Sequence, residues 1–263
     1  MGSLLAVTRP VSPSFALCEL THLAREPIDL TLAMTQHAAY ERLLHSLGLA
    51  IVRVPAAPEL PDAVFVEDTA VVLDEIAVIT RPGAASRRGE TAAVAPVLAG
   101  YRPLRSMSAP ATLDGGDVLQ LGRTLFVGRS SRTNDAGIEQ LRNAVAPFGY
   151  DVVPVEFAGC LHLKSAVTVL PDERLLLNPA WVPAAAFPGR EALFVDEREP
   201  HAANALDLEG TIVYPSQHPR TRDRLIERGL RVATIDCSET AKAEGGVTCC
   251  SLVFAAAPAG RAG

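Results

Sequence analysis

An α/β fold that repeats one unit of paired strands, a helix and a further strand around a common axis is the architecture this 263-residue sequence predicts. Three observations predict it. Short apolar segments rich in β-branched residues recur along the chain, stretches of helical character separate them, and each segment opens on a polar or reactive side chain. Between those openings the steps are 47 residues from Glu67 to Asp114, 48 to His162, 42 to Asn204 and 45 to Cys249. Spacing alone suits an ordinary α/β domain equally well. The chemistry of the openings favours the radial arrangement, because strand starts that point at one axis converge, so that side chains as distant in sequence as Glu67 and Cys249 share a pocket.

The elements follow in order. Phe65–Thr80 reads as two strands around an acidic turn, and Thr91–Leu98 as a helix starting at a threonine suited to capping. Leu113–Gly128 repeats the hairpin with Gly122-Arg123 at its turn, and Asn134–Phe148 is the next helix, with asparagine at its head. His162–Asn178 is a third hairpin, turning at Pro171-Asp-Glu-Arg174; Ala203–Pro215 is a fourth, followed by a helix over Arg220–Arg228 and a strand over Gly246–Phe254. The chain is long enough for one large core or two fused halves, and reads as a single catalytic domain over 1–263, with an Ala/Gly-rich tail at 255–263 expected to be disordered.

Hydrophobic residues make up 48% of the chain and charged residues 21%, with a mean hydropathy of +0.19, so the bulk of it should fold into a packed globule. A net charge of −6 and no basic run longer than Arg87-Arg88 argue against nucleic acid as a partner. Neither a signal peptide nor a membrane span is legible, which makes cytoplasmic the expected location and excludes a membrane role. The five cysteines, at 18, 160, 237, 249 and 250, show no C-x-x-C spacing. No disulfide framework, structural metal site or cofactor is therefore expected, and any special cysteine should be a chemical one.

Glu67, Asp68, Asp114, His162 and Cys249 form the converging set. A thiolate is its strong nucleophile, a histidine can move protons for it, and a carboxylate can orient that histidine. Strand alternation allows only one of Cys249 and Cys250 to face a pocket and does not choose between them. His162, between two leucines, suits a satisfied core histidine as well as a reactive one, and Asp114-Gly-Gly-Asp117 suits a tight turn. Two neighbouring carboxylates at Glu67 and Asp68 within an apolar segment are costly unless a cation compensates. That cation is either a ligand guanidinium or an internal partner such as Arg87 or Arg88.

The segments Pro61–Val71, Ile79–Arg88, Leu113–Val118, Arg132–Asn134, Leu161–Ser165 and Thr248–Ser251 resemble, in that order and with similar separations, the dimethylarginine dimethylaminohydrolase family. The resemblance covers roughly residues 30 to 254 and implies the pentein fold, a five-bladed α/β propeller of ββαβ repeats. It implies a small-molecule methylated arginine as substrate, no metal or cofactor, a monomer or homodimer, and release of citrulline and an alkylamine. Carried over residue by residue, Cys249 is the nucleophile, His162 the acid and base, and Asp114 its orienting partner. Glu67 and Asp68 would hold the guanidinium, Arg87 and Arg132 the α-carboxylate, and Asp62 the α-amino group. Ala243 and Glu244 would line the amino end, with Glu where relatives often carry Asp, and Cys18 would lie in a loop over the substrate. Zinc binding at the Cys-His pair would be inhibitory. A deiminase or hydrolase acting on another arginine or guanidine derivative, and a non-catalytic binding module of the same fold, are the alternatives.

Overall fold

The computed structural model describes residues 3–256. In chain order these form β1 (Leu4–Thr8), α1 (Leu30–Ser46), β2 (Ala50–Arg53), β3 (Ala70–Val72), β4 (Ala77–Ile79), α2 (Thr91–Ala99) and β5 (Leu104–Ser106). There follow β6 (Val118–Leu121), β7 (Thr124–Arg129), α3 (Asp135–Val145), β8 (Asp151–Glu156), α4 (Leu163–Ala166), β9 (Val167–Val169), β10 (Leu175–Leu177) and β11 (Ala192–Phe194). The chain ends with β12 (Leu206–Leu208), β13 (Thr211–Pro215), α5 (Pro219–Glu227), β14 (Arg231–Ile235), α6 (Ser238–Ala241) and β15 (Leu252–Ala255).

Among the described residues the strands make five three-stranded sheets, β15-β1-β2, β3-β4-β5, β6-β7-β8, β9-β10-β11 and β12-β13-β14. In each, the first pair is antiparallel and the second parallel. The parallel pair needs a crossover, supplied by α1, α2, α3 and α5 in four sheets and by a single 3-10 turn at Ala184–Ala186 in the β9-β10-β11 sheet. That shortened crossover accounts for the step of 42 residues between His162 and Asn204.

Each sheet buries both faces, which is why the middle of its central strand is apolar. In β7, Leu125 and Val127 enter a core with Val71, Val78 and α3, while Phe126 enters another with Leu163 and Leu175. In β13, Ile212 and Tyr214 pack with Leu176 and Leu193, and Val213 with Tyr40 and Leu44 of α1. The fifth core joins Leu5, Val7 and Phe254 to Ala77, Ile79 and α2. All five apolar clusters are thus shared by two consecutive sheets.

Three expectations are corrected. The strands begin later than the sequence suggests: Val66–Thr69 and Gly115–Asp117 are 3-10 turns, and residues 247–250 are a turn rather than the start of β15. The longest helix, α1, shows no apolar helical repeat in the sequence because its buried stripe holds Gln36, His37, Tyr40 and Glu41 beside Ala33 and Leu44. Its N-cap is Asp29, whose carboxylate accepts from the N–H of Leu32 at 3.0 Å. Of the tail, Ala255 pairs with Leu4 in β15 and Ala256 donates to Ser3 O; residues 257–263 lie outside the described residues. By contrast, α3 starts as expected, with the side chain of Asn134 accepting from Gly137 N.

Candidate active site

The turns at the strand starts meet. Val66–Thr69 packs on Gly115–Asp117, which packs on α4 immediately after His162, and Glu67 N donates to Cys249 O at 3.2 Å. Together with the segment before β15 they wall a narrow cavity lined by Glu19, Asp62, Phe65, Asp68, Arg87, Arg132, Leu161, His162, Ala243, Glu244, Gly245 and Cys249.

His162 is buried there, its Nε2 3.1 Å from Asp114 Oδ2 and its Nδ1 3.8 Å from Asp68 Oδ1. Burial works against its charge, but Asp68, the bond to Asp114 and the nearby Asp117 outweigh burial and raise its pKa to about 9. At neutral pH it is therefore an imidazolium, with both nitrogens donors. Asp114 is itself held, its Oδ1 accepting from Gly83 N at 2.9 Å. Asp117 accepts from Ser130 Oγ, Thr133 Oγ1 and Leu163 N at 2.6, 2.7 and 2.9 Å, which fastens the backbone beside His162. Burial raises the Asp117 pKa to about 6.

Asp68 accepts from Arg87 Nη1 at 2.7 Å and from Gly116 N at 2.9 Å. Burial favours its neutral form, yet His162 and Arg87 together bring it down to about 2. Glycine at 116 is what permits this approach: a Cβ there would lie 2.6 Å from His162 Nδ1 and 2.8 Å from Asp68 Oδ1.

The turn at 247–250 sends two adjacent cysteines in different directions. Cys249 is partly exposed to the cavity, its Sγ accepting from Gly246 N at 3.3 Å; Cys250 is buried in the apolar cluster beneath. Burial, Glu67 and Asp68 push the Cys249 thiol well above its ordinary value, opposed by the Gly246 N–H and Lys164. At rest the pair is thiol and imidazolium. Inactivation of free protein by iodoacetamide should be slow at pH 7 and rise about tenfold per pH unit until past pH 9, following the thiolate fraction. A plateau near neutrality would instead require a resting thiolate.

Two of the carried-over ligand residues are committed elsewhere. Arg87 is buried and donates to Asp68, to both carboxylate oxygens of Glu90 at 3.0 and 2.8 Å, and to the Phe65 carbonyl at 3.3 Å, so it acts as an internal cation balancing Asp68 at the cavity wall. Glu67 does not line this cavity: its carboxylate meets Lys164 Nζ at 2.6 Å and Thr248 Oγ1 at 2.9 Å, and it lines a separate cavity with those residues. Successive residues of a 3-10 turn point about 120° apart, so Glu67 and Asp68 diverge. Cys18 is also outside the cavity, buried with Phe15 and Phe65, while Ala243 belongs to both that core and the cavity wall.

Two others remain available. Asp62 lies at the cavity, its oxygens accepting from Glu19 N at 3.1 and 3.3 Å, and burial raises its pKa. Arg132 is buried with Nη1 lacking any hydrogen-bond partner, 4.0 Å from Asp114 Oδ2. Glu244 lines the cavity, but its carboxylate accepts from the backbone N–H groups of Thr21, His22 and Leu23. The sequence reading missed Glu90 and Lys164, although each stands within three residues of a residue it named, and it read Asp117 as part of a turn that could also approach a ligand, not as the acid that fastens the backbone beside His162. It also missed Tyr40 of α1, whose hydroxyl donates to Val247 O at 2.7 Å and so steadies the Cys249 turn.

Among the described residues, Asp68, Asp114 and His162 are the group whose ligating atoms come within 4.8 Å of one another. The carboxylates already accept from Arg87, Gly116 and Gly83, and the imidazole is cationic at neutral pH, so a metal ion would have to displace a proton and work against two arginines.

The family model for eukaryotic N,N dimethylarginine dimethylhydrolase matches residues 22–170. The N(G),N(G)-dimethylarginine dimethylaminohydrolase of Streptomyces coelicolor is 41% identical over 254 residues, covering 96% of this chain and 97% of that one. Its counterpart in Pseudomonas aeruginosa is 34% identical over 236 residues, covering 89% and 92%. A mutant of the Pseudomonas aeruginosa protein solved with citrulline superposes with a TM-score of 0.92 at 32% identity, over 97% of this chain and 100% of that one. The N-terminal domain of the cyanobacterial arginine dihydrolase ArgZ superposes at 0.85 with 19% identity, over 95% and 97%, a likeness of fold alone. On its sequence along nearly its whole length, this chain belongs to the dimethylarginine dimethylaminohydrolase family.

Proposed function

We propose that the chain hydrolyses Nω,Nω-dimethyl-L-arginine, and Nω-monomethyl-L-arginine, to L-citrulline and dimethylamine or methylamine through a covalent intermediate on Cys249. The observation that carries this reading is one cavity in which a partly exposed thiol faces a buried imidazolium and carboxylates, with an unpaired arginine nitrogen at its wall. Relatives that act on dimethylarginine by name, and one solved with citrulline, support the substrate.

A substrate guanidinium enters beside Asp68 and brings positive charge next to the thiol. That charge offsets the carboxylates that suppress ionisation, so Cys249 loses its proton to solvent when substrate is bound. Sulfur attacks the guanidinium carbon while the imidazolium of His162 gives its proton to the departing amine nitrogen. The C–N bond breaks and an S-alkylthiouronium remains. Neutral His162 then takes a proton from water, whose oxygen attacks the same carbon; the C–S bond breaks with its electron pair on sulfur, the adduct's hydroxyl proton passes to that sulfur, and the ureido group of citrulline and the Cys249 thiol form. Asp114 holds His162 through both steps. Asp62 receives the α-amino group and Arg132 the α-carboxylate.

We read the five sheets as the blades of a pentein propeller forming one catalytic domain over 1–263, a reading supported by the five cores each shared between consecutive sheets. Citrulline assay with asymmetric dimethylarginine, in chelator, against arginine and agmatine as comparators tests the reaction. Turnover only of arginine or agmatine would replace this reading by a deiminase, and no turnover by folded protein would remove it. Arg132→Met is expected to raise KM for the methylarginine about a hundredfold, the range for a buried charge-assisted pair losing one partner. Equal KM values for mutant and wild type would reassign the carboxylate site.

A further inference from the structure

We propose that Glu244 is the positioning residue that holds the loop at residues 18–25 closed over the reactive cavity, an inference that rests on the functional reading above. The loop contains neither helix nor strand, and Glu19, Thr21, His22, Ala24 and Arg25 are exposed. Three groups tie its backbone and Thr21 to the body of the protein, and Ser86 Oγ also donates to the Glu19 carboxylate. Asp62 accepts from Glu19 N, Arg132 Nη2 donates to Thr21 Oγ1 at 3.3 Å, and the Glu244 carboxylate collects the consecutive N–H groups of Thr21 at 3.0 Å, His22, and Leu23 at 2.7 Å.

The first two ties are made by the groups assigned to the substrate's α-amino and α-carboxylate ends. A bound amino acid takes those partners from the loop. Glu244 has no such exchange to make, because both its oxygens are filled by the loop itself, and it is the backbone anchor that persists from the empty to the occupied site, whereas Ser86 holds only the Glu19 side chain. Its reach, across more than two hundred residues of sequence, fixes the loop to the segment that carries Cys249. Loop closure and nucleophile position are thereby linked through one side chain.

A second observation points the same way. Glu244 has φ of 60°, in the left-handed region, and is followed by Gly245 and Gly246. Glycine is the relaxed residue for such a backbone, and a side chain there costs about 1 kcal/mol. The position therefore holds a carboxylate against its backbone preference, and the carboxylate's partners are the loop.

Trypsin provides a readout independent of turnover. Arg25 binds the carbonyls of Ala16 and Cys18 at 2.7 and 2.6 Å in the seated loop, so cleavage after Arg25 is expected to speed up when the loop leaves its seat. Glu244→Gly relaxes the backbone while removing the carboxylate, so it tests the side chain without adding strain; Glu244→Gln keeps the length and loses the charge, and Glu244→Asp keeps the charge. The expected results are about tenfold faster cleavage after Arg25 in Glu244→Gly, and a fall of about tenfold in kcat/KM carried by KM, as charge-assisted bonds are lost. Glu244→Gln should lie between, and Glu244→Asp nearer to wild type. Cleavage and KM within twofold of wild type in Glu244→Gly would overturn the proposal, as would a glutamine variant worse than the glycine variant. If wild type turns over no methylarginine, the functional reading falls, and the protease rates alone still decide whether Glu244 holds the loop.

Discussion

Cys249→Ser is expected to lower citrulline formation by at least about 10⁴-fold, the loss typical when a covalent nucleophile is removed and only binding and charge stabilisation remain. The substitution is nearly isosteric, and a hydroxyl at this position can still accept from Gly246 N, as the sulfur does at 3.3 Å. What it loses is ionisation. The site already suppresses the thiolate through burial, Glu67 and Asp68, and in the proposed mechanism the incoming guanidinium releases it; a hydroxyl several pKa units less acidic stays protonated under the same field. Cys250→Ser should do the reverse. That side chain sits in the apolar cluster with Tyr40, Leu44 and Val247, so a hydroxyl without a partner there costs about 1–3 kcal/mol of stability while turnover persists. Paired assays and thermal melts of the two variants separate nucleophile from core. Undiminished activity in Cys249→Ser, or loss confined to Cys250→Ser, would move the chemistry to the other sulfur.

That the two neighbouring cysteines part was legible from alternation, but which of them faces the cavity was not, because it depends on a turn where alternation suggested a strand. The hairpins themselves were legible: strands such as Leu175–Leu177, buried on both faces between consecutive sheets, must be apolar without interruption. Helix α1 was not, since polar residues in its buried stripe find distant partners. Glu41 accepts from Thr8 Oγ1 at 2.7 Å, and Gln36 donates to Ser238 Oγ at 2.8 Å. No local pattern announces a pairing made across two hundred residues. The site divides along the same line. Sequence brought Asp114, His162 and Cys249 into one neighbourhood, since their repeats converge. It could not say which way Glu67 points in a 3-10 turn, nor that Glu90, three residues after Arg87, completes a buried triad that uses up the arginine. Motif resemblance names residues; direction and saturation come only from coordinates.

Gly116→Ala is expected to cut kcat about 10²–10³-fold with the fold retained, because misplacing a catalytic group by about 1 Å carries a penalty of that order. The added methyl would lie 2.6 Å from His162 Nδ1 and 2.8 Å from both His162 Cγ and Asp68 Oδ1. Neither neighbour yields freely. Asp68 is held by Arg87 at 2.7 Å, and the imidazole is held by Asp114 at 3.1 Å on its other nitrogen. The imidazole is the softer of the two, since its bond is the longer, so it should rotate away from both Cys249 and Asp68. With Asp68 more distant, the charge that keeps the His162 pKa near 9 weakens. The sign of the pH effect follows. Wild-type activity needs the protonated imidazole and is lost as pH rises through about 9; in Gly116→Ala that alkaline limb should move to lower pH, toward the ordinary value for histidine near 6.5. Stability has the same sense: a raised histidine pKa contributes fully below the unfolded value and fades as pH climbs through the folded one, so the variant should lose stability chiefly at acidic to neutral pH. Gly115→Ala supplies the contrast. There the methyl would meet the Glu67 carbonyl at 2.0 Å, backbone against backbone, and the expected result is misfolding rather than a shifted pH profile. A Gly116→Ala enzyme with wild-type kcat and an unmoved alkaline limb would mean that His162 does not act from the position it holds here.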